Sequence, residues 1–281
     1  MPFDTYAQQT GLSKSALDYF DRSPAHYRDF LAGKYKKEST PEMELGRVLH
    51  SLILEDRREW IVRPETYPGK DGDKPWNGNA TYCKEWMAEH AGETVLSWNQ
   101  SEQYEEWASA VRNDADCLHL LSDGKAEQSI FANAFGRWCK GRCDWLDTER
   151  NIIVDLKTVA DARTETFSRQ IHSFGWHRQA ALYIAIMEAI GLGKFEWYFI
   201  ALEKSNPARI NVRRLSESAI DLGRCELEKS ISQLTACEAS NIWPGYSEPG
   251  GRIGIVDVPQ WAHTRWAADV ELQIGGETFK P

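Results

Sequence analysis

The stretch from Trp138 to Thr158 constrains the fold most strongly, because its pattern is typical of two antiparallel strands joined by a polar turn. Trp138–Leu146 and Ile152–Thr158 are rich in β-branched and aromatic residues, with apolar and polar positions alternating. The polar residues Thr148–Asn151 separate the two runs. The sequence therefore predicts a β-hairpin with one buried face.

The register of this hairpin decides which charged side chains meet. A four-residue loop would place Asp144 directly opposite Asp155. It would also place Arg142 opposite Lys157. Side chains two positions apart on a strand share a face, so these four charges are expected on one side of the sheet. The opposite, apolar face is expected to hold Cys143, Trp145, Val154 and Leu156.

Two carboxylates at directly opposed positions repel each other, so a cation is expected between Asp144 and Asp155. Lys157 supplies part of that charge. Two converging carboxylates also suit a hard divalent cation such as Mg²⁺. The alternative is a solvated face of ion pairs, worth about 0–1 kcal/mol per pair. The hairpin alone leaves both interpretations open.

The remaining pattern predicts helices on either side of a small set of strands. Ser13 and Ser23 are expected to be helix N-caps. Helices are predicted over Lys14–Phe20, Pro24–Ala32, Glu42–Leu54, Ala80–His90, Asn99–Ala115, Trp176–Ala189 and Ser216–Ala239. Further strands are predicted over Ser129–Ala134, Phe195–Leu202 and Arg209–Arg214. This order indicates an α/β (α+β) fold with a central mixed sheet flanked by helices and an N-terminal helical extension.

No repeat or long linker divides the chain, so one domain is expected over residues 1–281. Its parts would be a mainly helical region (1–120), a sheet core (121–240) and a C-terminal tail (241–281). Six cysteines without a C-x-x-C pair predict reduced thiols in a cytoplasmic protein. No apolar run approaches the thickness of a bilayer, so no membrane association is expected.

The formal net charge of −9 would by itself argue against an anionic partner such as nucleic acid. The acid is concentrated, however. From Cys83 to Glu127 there are ten acidic and three basic residues, a local charge of −7. Such a block is typical of the solvated face of helices and says little about other surfaces. The charge balance therefore excludes only binding by bulk charge.

Gly141-Arg142-Cys143-Asp144, followed by Asp155-Leu156-Lys157, resembles the G-x-x-D … (D/E)-x-K signature of the PD-(D/E)xK nuclease superfamily. Upstream, Leu45–His50 resembles the L-G-x-x-x-H helix of the subgroup with RecB-type nuclease domains. Downstream, Gln179–Tyr183 resembles its Q-x-x-x-Y helix. The motifs occur in the family's order, and together they imply a restriction-endonuclease-like core.

Further segments resemble the exodeoxyribonuclease VIII (RecE-like) nuclease domain, which is related to phage lambda exonuclease. They are Leu12–Leu17, Ser23–Tyr27, Ala126–Ile130 and Trp243-Pro244. The resemblance then covers the chain from Leu12 to about Trp243. The tail beyond Pro249 matches nothing in that pattern.

The resemblance implies a role for each matching residue. Asp144, Asp155 and the backbone carbonyl of Leu156 would bind a metal ion, and His50 would bind a second one. Lys157 would hold and help deprotonate the attacking water, or stabilise charge on the phosphate. Glu127 matches an acidic position of the site, and the alternative is one more acid of the block. A lone histidine on a helix, such as His50, is otherwise more often structural.

Three further residues are candidates for DNA contact. Gln179 and Tyr183 are four apart and share a helix face. Arg142 suits a bidentate phosphate contact. The structural alternatives are a core position for Tyr183 and a salt bridge for Arg142.

The function implied by the resemblance is a Mg²⁺-dependent exonuclease, with Mn²⁺ as a possible substitute and two ions per site. It would degrade one strand of linear duplex DNA from its end, 5′→3′, and leave 3′ tails for recombination. A ring-shaped tetramer, a RecT-like single-strand-annealing partner and a bacterial or phage origin are implied in the same way. Two alternatives remain: a structure-specific or single-strand endonuclease of the RecB or Cas4-like type, and a non-catalytic nuclease-fold protein that binds DNA.

Overall fold

The computed structural model describes residues 1–35, 40–246, 253–263, 272–274 and 277–279. The predicted tail 241–281 lies partly outside the described residues. The helices are α1 (Phe3–Gln8), α2 (Lys14–Arg22), α3 (Pro24–Leu31), α4 (Pro41–Glu55), α5 (Thr81–Glu89), α6 (Trp98–Asn113), α7 (Ala115–Leu120), α8 (Thr164–Ser173), α9 (Trp176–Ala189) and α10 (Glu217–Ser240). The strands are β1 (Ile61–Val62), β2 (Thr66–Gly69), β3 (Gly72–Pro75), β4 (Val95–Leu96), β5 (Lys125–Ala134), β6 (Arg137–Asp147), β7 (Ile152–Val159), β8 (Glu196–Glu203), β9 (Arg209–Arg214), β10 (Leu272–Ile274) and β11 (Glu277–Phe279).

The centre of the fold is a five-stranded sheet with the strand order β5-β6-β7-β8-β9. Strands β7 and β8 are parallel, whereas the other neighbours are antiparallel. Two helices, α8 and α9, connect the parallel pair, as a parallel crossover requires. The predicted mixed sheet flanked by helices is confirmed.

Each face of this sheet packs against its own apolar cluster. Ile153 and Phe199 face the cluster that includes α2, α9 and α10. Val154, Leu156 and Ile200 face the cluster that includes α4, α6 and α7. Because β7 and β8 are covered on both sides, they carry apolar residues at most positions, as central strands do.

The predicted hairpin register is correct near the turn and wrong beyond it. Asp147 pairs with Ile152, and Trp145 pairs with Val154. The ladder ends there, so Asp144 is not paired with Asp155, and Arg142 is not paired with Lys157. Strands β6 and β7 separate beyond this point, and the gap between them becomes the floor of the site described below.

The predicted apolar face is also wrong in part. Trp145 packs with the α4 cluster, as Val154 and Leu156 do. Cys143, two residues earlier on β6, packs instead with the α9 cluster. The change of face coincides with Glu127 on β5, which has a left-handed backbone (φ 55°) and interrupts the β5–β6 pairing. The side chains of β6 therefore change from one apolar cluster to the other between Cys143 and Trp145.

The N-terminal helices begin where the sequence predicts. The Ser13 hydroxyl accepts a hydrogen bond from the N–H of Ala16, and the Ser23 hydroxyl accepts one from the N–H of His26. Most of the acidic block is exposed on α5, α6 and the adjoining loops, as expected. All six cysteines are free thiols. Among the described helices, none has the length and apolar character to cross a bilayer.

Candidate active site

The candidate site lies where β6 and β7 separate. The carboxylate of Asp144 reaches across the gap, and its Oδ2 accepts a hydrogen bond of 2.9 Å from the backbone N–H of Leu156. This contact replaces the missing ladder bond. It also fixes the Asp144 side chain against β7, with only 16% of the side chain exposed.

His50 enters the same gap from α4. Its Nε2 lies 2.9 Å from the backbone carbonyl of Leu156. Because a carbonyl can only accept, Nε2 carries the proton in this contact. Nδ1 therefore faces the carboxylates, 3.6 Å from Asp144 Oδ2 and 4.0 Å from Glu127 Oε1. The Leu156 carbonyl, implied as a metal ligand, is thus occupied by His50 in this arrangement.

Glu127 belongs to the site through its position on β5. Its Oε2 accepts a hydrogen bond of 2.5 Å from Nε of Arg142, while Oε1 faces His50. Among the described residues, the ligand atoms of His50, Glu127 and Asp144 all lie within 4.8 Å of one another. An imidazole nitrogen and two carboxylates at this spacing form a donor set that suits a divalent cation.

Asp155 occupies the inner wall, with 2% of its side chain exposed. The amide of Gln179, on the first turns of α9, donates a hydrogen bond of 2.9 Å to Oδ1. The buried Oδ2 accepts no well-oriented hydrogen bond, and the ammonium of Lys157 lies 2.6 Å from it. Oδ2 of Asp155 is thus ion-paired with Lys157, and a metal ion bound to this oxygen would share it with that ammonium.

Lys157 has a second contact, which none of the sequence motifs indicates. Its Nζ lies 5.2 Å from the ring centroid of Trp176, the first residue of α9. Trp176 precedes Gln179 by three positions, which is a same-face spacing on a helix. This spacing is the one sequence feature that would have placed Trp176 beside the site.

Tyr183 is buried, and its burial favours a core position over direct DNA contact. A Cβ on Gly141 would come within 2.6 Å of its ring. The glycine of the G-x-x-D segment therefore permits this close packing. Arg142 is likewise engaged by Glu127 and by the Met1 carbonyl, at 2.7 Å.

The electrostatics of the site are those of a crowded acidic cluster. Burial raises the pKa of Asp144 to about 6, with the neighbouring Asp155 adding to the effect and His50 opposing it. Burial lowers the pKa of His50, but the carboxylates of Asp144 and Glu127 outweigh it and raise that pKa to about 8. Burial likewise opposes the charge on Lys157, whose pKa is nevertheless raised by Asp155 and Asp144.

These contacts do not form the solvated ion-pair face that was the alternative interpretation of the hairpin. The carboxylates of Asp144 and Asp155 are largely buried. They converge with His50 and Glu127, which come from other elements. Keeping several acids together away from water is costly, and such clusters are typical of functional sites.

The family assignment agrees with this geometry. A family model described as "PDDEXK-like domain of unknown function (DUF3799)" matches residues 13–251. The chain belongs to this PDDEXK-like family. The resemblance to the PD-(D/E)xK superfamily is thereby confirmed, and the segments of this PDDEXK-like chain that carry the resemblance, with Asp144, Asp155 and Lys157, lie within the matched residues.

Solved structures give a second comparison for the PDDEXK-like chain. A protein from Eubacterium rectale named "Putative exonuclease" aligns with 94% of this chain and 98% of its own, at a TM-score of 0.64 and 13% identity. It shows a shared fold. A phage related exonuclease from Haemophilus somnus 129PT aligns with 83% of this chain and 98% of its own, at 12% identity, but its TM-score of 0.33 is too low to indicate a common fold. No curated protein matches the chain.

Proposed function

We propose that this PDDEXK-like protein is a metal-dependent exonuclease that hydrolyses one strand of linear duplex DNA from its end. The observation that carries the proposal is the convergence of Asp144, Asp155 and Lys157 in the gap between β6 and β7. His50 and Glu127 complete the cluster. The exonuclease name of the Eubacterium rectale structure supports the choice among nucleases.

The donor set fits Mg²⁺ or Mn²⁺. Asp144 and Asp155 would hold one ion, with Asp155 offering Oδ2, the oxygen that Gln179 does not contact and that is ion-paired with Lys157. His50 Nδ1 and Glu127 Oε1 face Asp144 and would contribute to a second ion. A bound divalent ion would supply Lewis-acid activation of water and would neutralise charge on the phosphate.

Side chains of the protein would contact the phosphate or the attacking water and orient the metal ligands. Lys157 carries a positive charge beside Asp155, where it can donate a hydrogen bond to a phosphate oxygen or hold the attacking water. Gln179 fixes the orientation of Asp155. Arg142 fixes Glu127 and, if released from it, would offer its guanidinium to a phosphate.

The finer parts of the proposal come from the RecE-like resemblance. They are 5′→3′ polarity, release of 3′ single-stranded tails, a ring-shaped tetramer and a RecT-like annealing partner in the cytoplasm of a bacterium. The position of the acidic helices supports a ring, since α5 and α6 could face solvent while the site faces DNA. A uniformly acidic inner wall in an assembled ring would contradict it.

The test compares DNA topologies in the presence of Mg²⁺. Linear duplex labelled at the 5′ or 3′ end, closed circular duplex and single strands are incubated with the protein. We expect early release of the 5′ label, persistence of the 3′-labelled strand and an intact circle. Cutting of the closed circle would contradict the exonuclease proposal. Degradation of single strands alone would favour the RecB-type alternative.

A further inference from the structure

A row of aromatic rings leads from the core to the surface beside Lys157. Phe199 is fully buried, and its ring lies 5.5 Å from that of Phe167. Phe167 lies 5.6 Å from Trp176, and Trp176 lies 5.2 Å from Phe174. Phe174 ends the row with 56% of its surface exposed. The exposed Phe174 ring is thus the outer end of a packed row of four aromatic rings.

The backbone holds Phe174 in this position. It lies between α8 and α9, directly before Gly175, whose left-handed conformation (φ 63°) lets both neighbouring rings stack on one side at an interplanar angle of 29°. The Lys14 ammonium donates a hydrogen bond of 2.5 Å to the Phe174 carbonyl. The turn between α8 and α9 therefore holds the Phe174 ring at the surface.

This ring is one aromatic neighbour away from the catalytic lysine. Trp176 contacts Lys157 Nζ at 5.2 Å and Phe174 at 5.2 Å. A nucleotide whose phosphate lies near Lys157 would carry its base about one ring away from that ammonium. Lys157 and the Phe174 ring thus lie against the same indole, so the phosphate and the base of one nucleotide would have adjacent partners.

The N-terminus of α9 next to Lys157 also favours a nucleotide as the ligand. Helix α9 begins at Trp176, and its N-cap, Gly175, provides no side-chain cap. Because Trp176 contacts Lys157, the positive end of the helix dipole lies near this lysine and would favour a phosphate there. An aromatic face beside a lysine and a helix N-terminus offers the stacking surface and the positive charge with which proteins bind single-stranded nucleic acid.

We infer that the exposed face of Phe174, backed by Trp176, stacks a nucleobase of the strand being cut, next to the scissile phosphate. This inference rests on the proposed nuclease function and adds a contact to it. Stacking tolerates any base, because every base has a π-face. Phe174 would therefore hold an unpaired end nucleotide without imposing a sequence preference.

The kinetic test uses Phe174→Ala, with Phe174→Tyr as the conservative variant and Trp98→Ala as the control. Trp98, on α6, is similarly exposed at 52%. Loss of one stacking contact should raise KM for linear duplex about tenfold, with a much smaller change in kcat. Phe174→Tyr and Trp98→Ala should behave like the wild type. Unchanged KM in Phe174→Ala, or failure of tyrosine to restore it, would overturn the inference.

A binding readout separates this inference from the proposed function. The inactive Asp155→Asn variant is mixed with duplex whose 5′-terminal base is 5-iodouracil and irradiated, and the cross-linked peptide is identified by mass spectrometry. We expect the cross-link on Phe174. A cross-link on another residue would overturn the inference. So would the absence of any cross-link together with a changed oligomeric mass of Phe174→Ala, which would assign the ring to another surface. Wild-type protein that hydrolyses no DNA would contradict the proposed function instead.

Discussion

Asp144 Oδ2 accepts a hydrogen bond from the backbone N–H of Leu156 at the point where the β6–β7 ladder has ended. The carboxylate occupies a place that a strand pair would normally fill. In this way the Asp144 side chain is held between two strands and close to the carboxylates of Asp155 and Glu127. The stability of the fold is therefore expected to depend on the charge of Asp144.

Asp144→Asn should stabilise the metal-free protein above pH 6. The folded-state pKa of Asp144 is raised to about 6 from 3.8, mainly by burial, so ionisation costs stability as pH rises through that interval. A two-unit difference corresponds to about 1–3 kcal/mol. Asparagine retains an oxygen for the Leu156 N–H but does not ionise. Urea unfolding in EDTA at pH 4 and pH 7.5 should show the gain only at the higher pH, and an equal effect at both would contradict this account.

His50 should titrate well above an ordinary histidine in the metal-free protein. Burial opposes its protonation, but Asp144 and Glu127 together raise the pKa to about 8 from 6.5. NMR titration of the imidazole in EDTA measures this directly. Removing the Asp144 charge in Asp144→Asn should lower the pKa. A pKa of His50 that stays the same in that variant would show that Asp144 is not its electrostatic partner.

Gln179→Leu should weaken metal binding while leaving the fold intact. The Gln179 amide is the hydrogen-bond donor to Asp155 Oδ1, at 2.9 Å, and partners that orient a metal ligand typically contribute about 10–100-fold in affinity. Calorimetric titration with Mn²⁺ measures the change. Gln233→Leu, at an exposed position of α10, is the matched control. Wild-type affinity in Gln179→Leu would leave Gln179 as a candidate for DNA contact only.

Much of this site could be predicted from the order of the sequence motifs. The polar turn between two alternating runs predicts the hairpin near Asp147 correctly. The spacing of Gln179 and Tyr183 places both on the face of α9 that meets the sheet. For Gln179, however, the contact is with Asp155, whereas the sequence suggested DNA.

The separation of β6 and β7 could not be predicted in the same way. It coincides with the left-handed backbone of Glu127, a conformation that an L-residue rarely adopts and that no local pattern announces. Strand periodicity assumes a regular pleat, so it assigned Cys143 and Trp145 to one face. Contacts that depend on the resulting gap, such as that between His50 and the Leu156 carbonyl, follow from tertiary packing alone.

We propose that Lys157 and the acidic cluster form a nuclease site, and single-turnover hydrolysis of linear duplex DNA by Lys157→Ala tests this most directly. We predict that the rate in Mg²⁺ falls about 100- to 10,000-fold, that DNA binding stays near the wild-type level, and that EDTA abolishes wild-type activity. Lys194→Ala, which removes an exposed lysine paired with Glu217, should leave the rate unchanged. Full activity of Lys157→Ala, or wild-type hydrolysis that persists in EDTA, would contradict the account.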